Sequence, residues 1–449
     1  MTEVPSRVRW MQDIVPEIHN YRTFLKKVFR HEFRKNWFRR FTTPILEKKE
    51  LFVSAIWEWT DVVDKEMYNV IDKKGRELVL KPESTAWMMR AYIDWDMQSE
   101  PQPVNLYYIE PHFRYDRPQK WRYRQFYQIW AEVIWENDPI IDAQLIFNWY
   151  TVLNQIGLEW DFKVKLNSIG TAKDRAKYIE ELESFYANKW NILCSDCNHR
   201  LENNVMRLLD CKNEDCRILL WSAPKITDFF KKESKEHYKK VKEYLDILWV
   251  PYEEDFTLVR WLDYYCHTVW EFADTSGRSQ DALWGWGRYN WLSQKIWFKD
   301  EIPAAWFAMW MERLTQAMID KWIKIKNKDK IDLYFMQLGE DAKKVVMPLT
   351  LEARNAWINT MASLWTPSMK AQLKKANRLW VRFVVIVGIM EAKTWVFQVK
   401  DMELWTQEEV KKENIIKYVI DKIWESKLDF YSPTRDLYIE EIREEVEEK

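Results

Sequence analysis

Glycine is scarce. The 449-residue chain holds 8, where ordinary usage of about 7% would place roughly 31. So few glycines should leave few sites for a positive φ or for a ligand to touch bare backbone. Tryptophan is in surplus at 29 residues, and it stands where a backbone wants glycine. Trp284-Gly285-Trp286-Gly287-Arg288-Tyr289 alternates the largest side chain with the smallest. The interspersed tryptophans follow no packing period. The expectation is that many of their codons are UGA, translated as glycine in the source; UGG at Trp261, Trp284 and Trp286 would contradict it. The rival is a tryptophan-rich chain repacked around these residues.

Other absences narrow the class. The longest apolar run, around Phe383 to Met390, is far too short to span a bilayer. Met1 to Trp10 lacks an apolar signal core. A cytoplasmic protein with no membrane partner is expected. Charged residues make up 31%, yet the net charge is −1, so a polyanion must meet a local patch rather than a basic surface. Four of the five cysteines crowd one segment, unlike a secreted disulfide framework.

The pattern along the chain predicts an α+β fold. Ile18, Tyr21, Leu25, Val28 and Phe29 recur at helical spacing after Pro16. Short apolar runs at Met67 to Ile71, Leu78 to Leu80, Leu106 to Ile109 and Phe126 to Ile134 read as strands of a mostly antiparallel sheet. Asp138 to Gly157 reads as a helix ending at a glycine. Residues 166–246, rich in Lys and Glu, read as a helical insertion into a core formed by residues 1–165 and 247–325. Alternating strands and helices over 328–425 predict a small α/β domain, followed by an acidic tail at 426–449.

Phe113-Arg114-Tyr115-Asp116-Arg117-Pro118-Gln119-Lys120-Trp121-Arg122-Tyr123-Arg124-Gln125-Phe126 is a basic hairpin suited to a triphosphate and an RNA end. It resembles motif 2 of the class II aminoacyl-tRNA synthetases, in the wording of the histidyl-tRNA synthetase family. Thr43-Pro44-Ile45-Leu46-Glu47 resembles motif 1, whose proline lies at a dimer interface. Lys81-Pro82-Glu83-Ser84-Thr85-Ala86 resembles the block that grips the amino acid's ammonium group. Leu258-Val259-Arg260-Trp261-Leu262-Asp263-Tyr264-Tyr265 resembles a block peculiar to the histidyl enzymes, and Ala305-Trp306-Phe307-Ala308-Met309-Trp310-Met311-Glu312-Arg313-Leu314 resembles motif 3. Against the family, Trp10, Trp37, Trp57, Trp59, Trp87, Trp121, Trp130, Trp135, Trp249, Trp261, Trp284, Trp286, Trp291, Trp297, Trp306, Trp310 and Trp380 fall at usual glycines; Trp270, Trp365 and Trp395 are ambiguous.

The resemblance implies a class II catalytic domain with a C-terminal anticodon-binding domain, working as a homodimer. It implies a histidine–tRNA ligase that joins histidine to ATP as an adenylate and then to tRNA(His), with Mg2+ on the phosphates. Attack of a carboxylate on the α-phosphate brings two anions together, which guanidinium forks suit. Arg114 would bridge carboxylate and α-phosphate, Arg260 would press from the opposite side, and Arg313 would hold the γ-phosphate end. Glu83 and Thr85 would take the substrate ammonium. Gln128, Glu132, Tyr264 and Tyr265 would line the histidine pocket, and Arg117 and Gln119 would contact the tRNA acceptor end. Tyr127 departs from the family, which often has histidine there. The runner-up is a non-catalytic regulatory subunit that senses histidine and binds a protein partner.

Cys194, Cys197, Cys211 and Cys216 have the C-x2-C…C-x4-C form of a structural Zn2+ site, with four reduced thiols as the alternative. Lys370, Lys374, Lys375 and Arg378 read as RNA phosphate contacts or as one solvated helix face.

Overall fold

The computed structural model describes residues 6–55, 66–115, 123–259, 264–275, 282–323, 325, 331–364 and 368–427, in two compact units, 1–325 and 326–449. The first unit opens with α1 (Pro16–Lys35), which buries Leu25, Val28, Phe29 and Phe33 on one stripe. β1 (Arg39–Arg40) follows. β2 (Leu46–Lys48), α2 (Lys49–Ala55), β3 (Asn69–Ile71) and β4 (Glu77–Leu80) form a small antiparallel layer in the order β2-β4-β3. α3 (Thr85–Asp94) leads into the long pair β5 (Val104–Phe113) and β6 (Gln125–Ile134).

α4 (Ile140–Gln155) and β7 (Phe162–Ser168) come next. Residues 166–168, expected to open the helical stretch, are strand. Phe162, Val164 and Leu166 face inward while Lys163 and Lys165 point out, a period of two that outweighs helical propensity. The helices are α5 (Ala172–Tyr186), α6 (Ser195–Asn203), α7 (Glu214–Leu220) and α8 (Lys232–Ile247). β8 (Tyr252–Glu254), β9 (Tyr265–Asp274), β10 (Ala282–Tyr289), α9 (Leu292–Lys295), β11 (Ala304–Trp310) and α10 (Met311–Asp320) close the unit. Eight strands make one sheet, ordered β1-β5-β6-β11-β10-β9-β7-β8 and antiparallel except at its two margins.

The second unit is an α/β layer, as expected. β12 (Leu333–Gln337) lies parallel to both β13 (Thr360–Ala362) and β14 (Phe383–Val387), while β15 (Val396–Asp401) and β16 (Gln407–Lys411) extend it antiparallel. Its helices are α11 (Glu340–Asn355), α12 (Met369–Arg378), α13 (Ile389–Thr394) and α14 (Ile415–Lys427). Lys370, Lys374, Lys375 and Arg378 are exposed on α12, while Gln372 and Ala376 face inward. The tail beyond residue 427 lies outside the described residues. Among the described residues no helix is long and apolar enough to cross a membrane.

Helix ends carry the most informative backbone. After α4, Gly157 has φ 74°; its N–H donates to Asn154 O and the next N–H, of Leu158, to Leu153 O. That pair of bonds is the Schellman closure, which puts one residue in the left-handed region. Six other helices close identically, but with tryptophan there: Trp37, Trp249, Trp297, Trp322, Trp357 and Trp380. Their indoles stand in solvent, between 69% and 95% exposed. Of the twelve non-glycine residues with positive φ among the described residues, ten are tryptophan.

Candidate functional site

Alternation along the central strands brings the site residues to one face. On β6 these are Gln128, Trp130 and Glu132, opposite Glu110, Tyr108 and Leu106 of β5 and Trp310, Ala308 and Trp306 of β11. Glu132 is fully buried at the floor, where it accepts hydrogen bonds from the hydroxyls of Tyr108 (3.0 Å) and Tyr289 (3.1 Å). Burial pushes its carboxyl well above the usual range, although both phenols pull it down. Gln128 Oε1 accepts from the Trp130 indole (2.9 Å). The Gln128 Nε2 donor is buried with no partner among the described residues, as fits a group waiting for a ligand.

The 81–86 block forms one wall. Glu83 caps the start of α3, accepting from the N–H groups of Thr85 (2.9 Å) and Ala86 (3.1 Å). Burial raises its carboxyl and those N–H groups lower it. The buried Lys81 ammonium pairs with Glu110 and donates to Thr43 Oγ1 (3.0 Å). His112 faces the Glu110 carbonyl through Nδ1 (3.1 Å), so Nδ1 donates and Nε2 accepts from the Ser84 hydroxyl (2.7 Å). Burial keeps this ring neutral, well below its usual pKa.

Flat rings fill the middle. Trp130 and Trp306 stack 4.0 Å apart at 2°. Tyr108 and His112 stack against Trp130 (5.6 and 5.9 Å), and Tyr265 against Trp306 (6.1 Å). Tyr264 packs on Tyr265 (4.8 Å) and Tyr289 (5.8 Å). Beside this row, Trp310 stacks on Phe126 (4.2 Å, 19°), and the Arg313 guanidinium lies over its indole (4.6 Å). Arg114 donates from Nε to Pro82 O (2.8 Å) and sits 5.6 Å from the Phe126 ring. The buried carboxylate of Glu312 accepts from the Tyr127 N–H (3.0 Å) and pairs with Arg22 (2.7 Å), anchoring the start of α10 to β6 and α1.

Of the residues picked out from the sequence, Glu83, Thr85, Arg114, Gln128, Glu132, Tyr264, Tyr265 and Arg313 therefore occupy one cluster, linked through Phe126 and the tryptophan rings. Arg260, Arg117 and Gln119 lie outside the described residues. Sequence reasoning passed over Tyr108, Ser84, His112, Phe126 and Tyr289. The alternation Tyr108-Glu110-His112 was the available signal for two of them, but the strand expected at Leu106 to Ile109 stops short of Phe113, where the observed one ends. His267 lies in β9 with φ 51° and its ring stacked on His237 (4.5 Å). Burial, with His237 and Arg288 nearby, lowers its pKa to about 4.

The four clustered cysteines also converge: their sulfur atoms all lie within 4.8 Å of one another.

Chemically, two buried carboxylates, an unpartnered amide donor and a row of parallel rings suit a flat polar heterocycle. The Phe126 ring and the Arg313 fork, both against the Trp310 indole (4.2 and 4.6 Å), suit the stacking of a purine. Arg114 adds positive charge beside that slot.

Residues 68–279 match the family described as tRNA synthetase class II core domain (G, H, P, S and T), and residues 332–422 match an anticodon binding domain. The histidine–tRNA ligase of Halothermothrix orenii is 39% identical over 409 residues, covering 91% of this chain and 97% of that protein. Histidine–tRNA ligase 2 of Bacillus cereus is 38% identical over 418 residues, covering 92% and 98%. The crystal structure of apo S. aureus histidyl-tRNA synthetase superposes with a TM-score of 0.77 at 31% identity, covering 93% of this chain and all of that one.

Proposed function

The chain belongs to the histidyl-tRNA synthetase family, and on that premise we propose how its residues carry the reaction. It is a class II aminoacyl-tRNA synthetase whose activity is that of a histidine–tRNA ligase. Its substrates are ATP, histidine and tRNA(His). The observation that carries the site reading is the buried array of Gln128, Glu132, Tyr108 and Tyr289, whose donor and acceptors can meet both nitrogens of an imidazole. Glu83 and Thr85, at the start of α3, take the ammonium. Arg114 and Arg260 neutralise the histidine carboxylate and α-phosphate as they meet, and Arg313 holds the nucleotide. No protein base is needed, because the attacking carboxylate is already ionised. Mg2+ would supply charge neutralisation on the ATP phosphates. Arg117 and Gln119 contact the acceptor end, and a homodimer forms through the Pro44 region. Residues 169–246, after β7, act as an insertion in the core, with a structural Zn2+ at the cysteine cluster. Charging of tRNA(His) with labelled histidine by the chain carrying glycine at residues 130, 306 and 310 tests the reading; it is expected with ATP and histidine, and failure with both present contradicts it.

We also propose that glycine, not tryptophan, occupies the left-handed and site positions in the protein made by its source. The six solvent-standing indoles at Schellman closures support this, since an L side chain in the left-handed region costs about 1–2 kcal/mol and these gain no packing in return. Trp130, Trp306 and Trp310 support it differently: their indoles fill the space between substrate-binding groups. Trp149 stands apart as a real tryptophan, edge-on to Phe29 (5.0 Å) and Phe307 (4.5 Å) in the core. Peptide masses of the protein isolated from its source decide the matter; tryptophan masses at residues 37 and 357 would contradict it.

A further inference from the structure

The cysteine cluster is remote in sequence from every residue assigned to histidine or ATP. Cys194 stands at the start of α6 and Cys197 lies in its first turn. Cys211 follows a 3-10 turn at Val205–Asp210, and Cys216 lies in the first turn of α7. Two short helices and a turn thus each present sulfur at an end.

The geometry matches a metal rather than disulfides. Zinc bound to four thiolates at about 2.3 Å places neighbouring sulfurs roughly 3.8 Å apart at tetrahedral angles. Here Cys194 Sγ and Cys211 Sγ are 3.8 Å apart, and all four sulfurs fall within 4.8 Å. All four thiols are free, whereas a disulfide would hold its sulfurs at about 2.05 Å. The Cys194 backbone N–H donates to Cys216 Sγ (3.2 Å), and the Asn213 side chain accepts from the Cys216 N–H (3.2 Å), which orients α7 so that its sulfur faces the other three. The N–H contact to Cys216 Sγ favours the thiolate form that a metal requires.

The surroundings call for a staple. α6, the turn and α7 have 9, 6 and 7 residues, against the roughly 12–15 at which an isolated helix becomes even marginal. Between Leu193 and Leu220 the buried apolar side chains are Leu193, Val205, Leu208 and Leu209 and three of the cysteines themselves. These side chains join the larger core of the unit, but they are few for the length of the segment, a setting in which a metal adds folding energy. Cys197, Cys211 and Cys216 are buried and Cys194 is half-buried, leaving no open coordination position for chemistry.

We propose that Cys194, Cys197, Cys211 and Cys216 bind one Zn2+ as a closed tetrathiolate that folds residues 189–222. Four thiols lose four protons as Zn2+ binds, giving a dianionic centre with no change of oxidation state. This assignment takes the cofactor reading further by naming the segment that depends on the metal. It is independent of the ligase activity, and its test needs no substrate.

The full chain, expressed with zinc and purified without chelator, is expected to hold one zinc per chain by plasma mass spectrometry. A thiol-specific mercurial should release that zinc as four thiols react. Replacement by Co2+ should give the intense visible bands of a tetrahedral thiolate site. Chelation should then speed hydrogen exchange in peptides from 189–222, with little change in those from β5 and β6. Cys197→Ser and Cys211→Ser should each lose the metal; should either fail to fold, the mercurial titration of the unaltered chain decides. A metal-free chain whose four thiols react freely, disulfides among the four in freshly purified protein, or exchange in 189–222 that ignores zinc would each overturn the proposal. Absence of histidine-dependent activity in a zinc-bearing chain with glycine at residues 130, 306 and 310 would count against the ligase reading alone.

Discussion

Trp130 and Trp306, on neighbouring strands, lie face to face 4.0 Å apart with rings 2° from parallel, between Tyr108 on one side and Tyr265 on the other. Their indoles occupy the strip between Gln128, Glu132 and the Tyr264–Tyr265 pair. A chain with tryptophan at both positions has its histidine groups shut off from solvent. Trp130→Gly with Trp306→Gly is expected to open the strip, so that calorimetry detects histidine binding where the parent shows none. Equal binding by both would contradict the account.

Exposed indoles at helix ends offer a separate test. Trp357→Gly and Trp380→Gly should each raise stability by about 1 kcal/mol by relieving left-handed strain, with nothing lost from the core. Gly157→Ala, at the same backbone position after α4, should cost about 1 kcal/mol. Trp149→Gly should instead cost about 3–5 kcal/mol, because that ring is packed. Urea midpoints at constant m-value read all four, and a loss of stability in the first two would contradict the reading.

Glu132 makes stability depend on pH. Its folded pKa is raised by burial above the ordinary 4.5, so above that value the folded state still holds a proton that the unfolded chain has released. Stability should therefore fall as pH rises from 4.5 toward the raised pKa. Glu132→Gln removes that slope: its urea midpoint should match the parent in acid and exceed it at neutral pH. Placed in the chain with glycine at residues 130 and 306, the same substitution should weaken histidine binding. Parallel profiles would show that Glu132 does not titrate this way.

The Arg22–Glu312 pair tests how motif 3 is anchored. Both groups are buried, and Arg22→Ala leaves a carboxylate whose remaining acceptor contact is the Tyr127 N–H. The expected cost is about 3–5 kcal/mol. Adding Glu312→Gln should restore part of it, because the charge is gone and the Tyr127 bond survives. A single variant that unfolds at the parent's urea midpoint would contradict this.

The fold was legible where the period of the pattern was clean. The stripe of α1, the strand β6 and the alternation of strands and helices in the second unit all follow from spacing. β7 was blurred because its outward positions are lysines, which match the Lys-rich helices that follow it. Gln128 and Glu132 could be placed on one face by counting residues. Tyr108, Tyr289 and the Ser84–His112 contact could not, since they arise from strand pairings far apart in sequence. The left-handed tryptophans were half visible: Trp37 and Trp380 stood out against the family, whereas Trp322, Trp357 and Trp405 declared themselves only through their backbone.

Histidine-dependent exchange of pyrophosphate into ATP probes the centre of this account, because it reads adenylate formation without tRNA. The chain carrying glycine at residues 130, 306 and 310, and at the left-handed tryptophan positions, should exchange with histidine and not with other amino acids. It should lose that exchange on Arg114→Ala. Exchange that ignores histidine, or none at all from a folded glycine-bearing chain, would contradict the assignment.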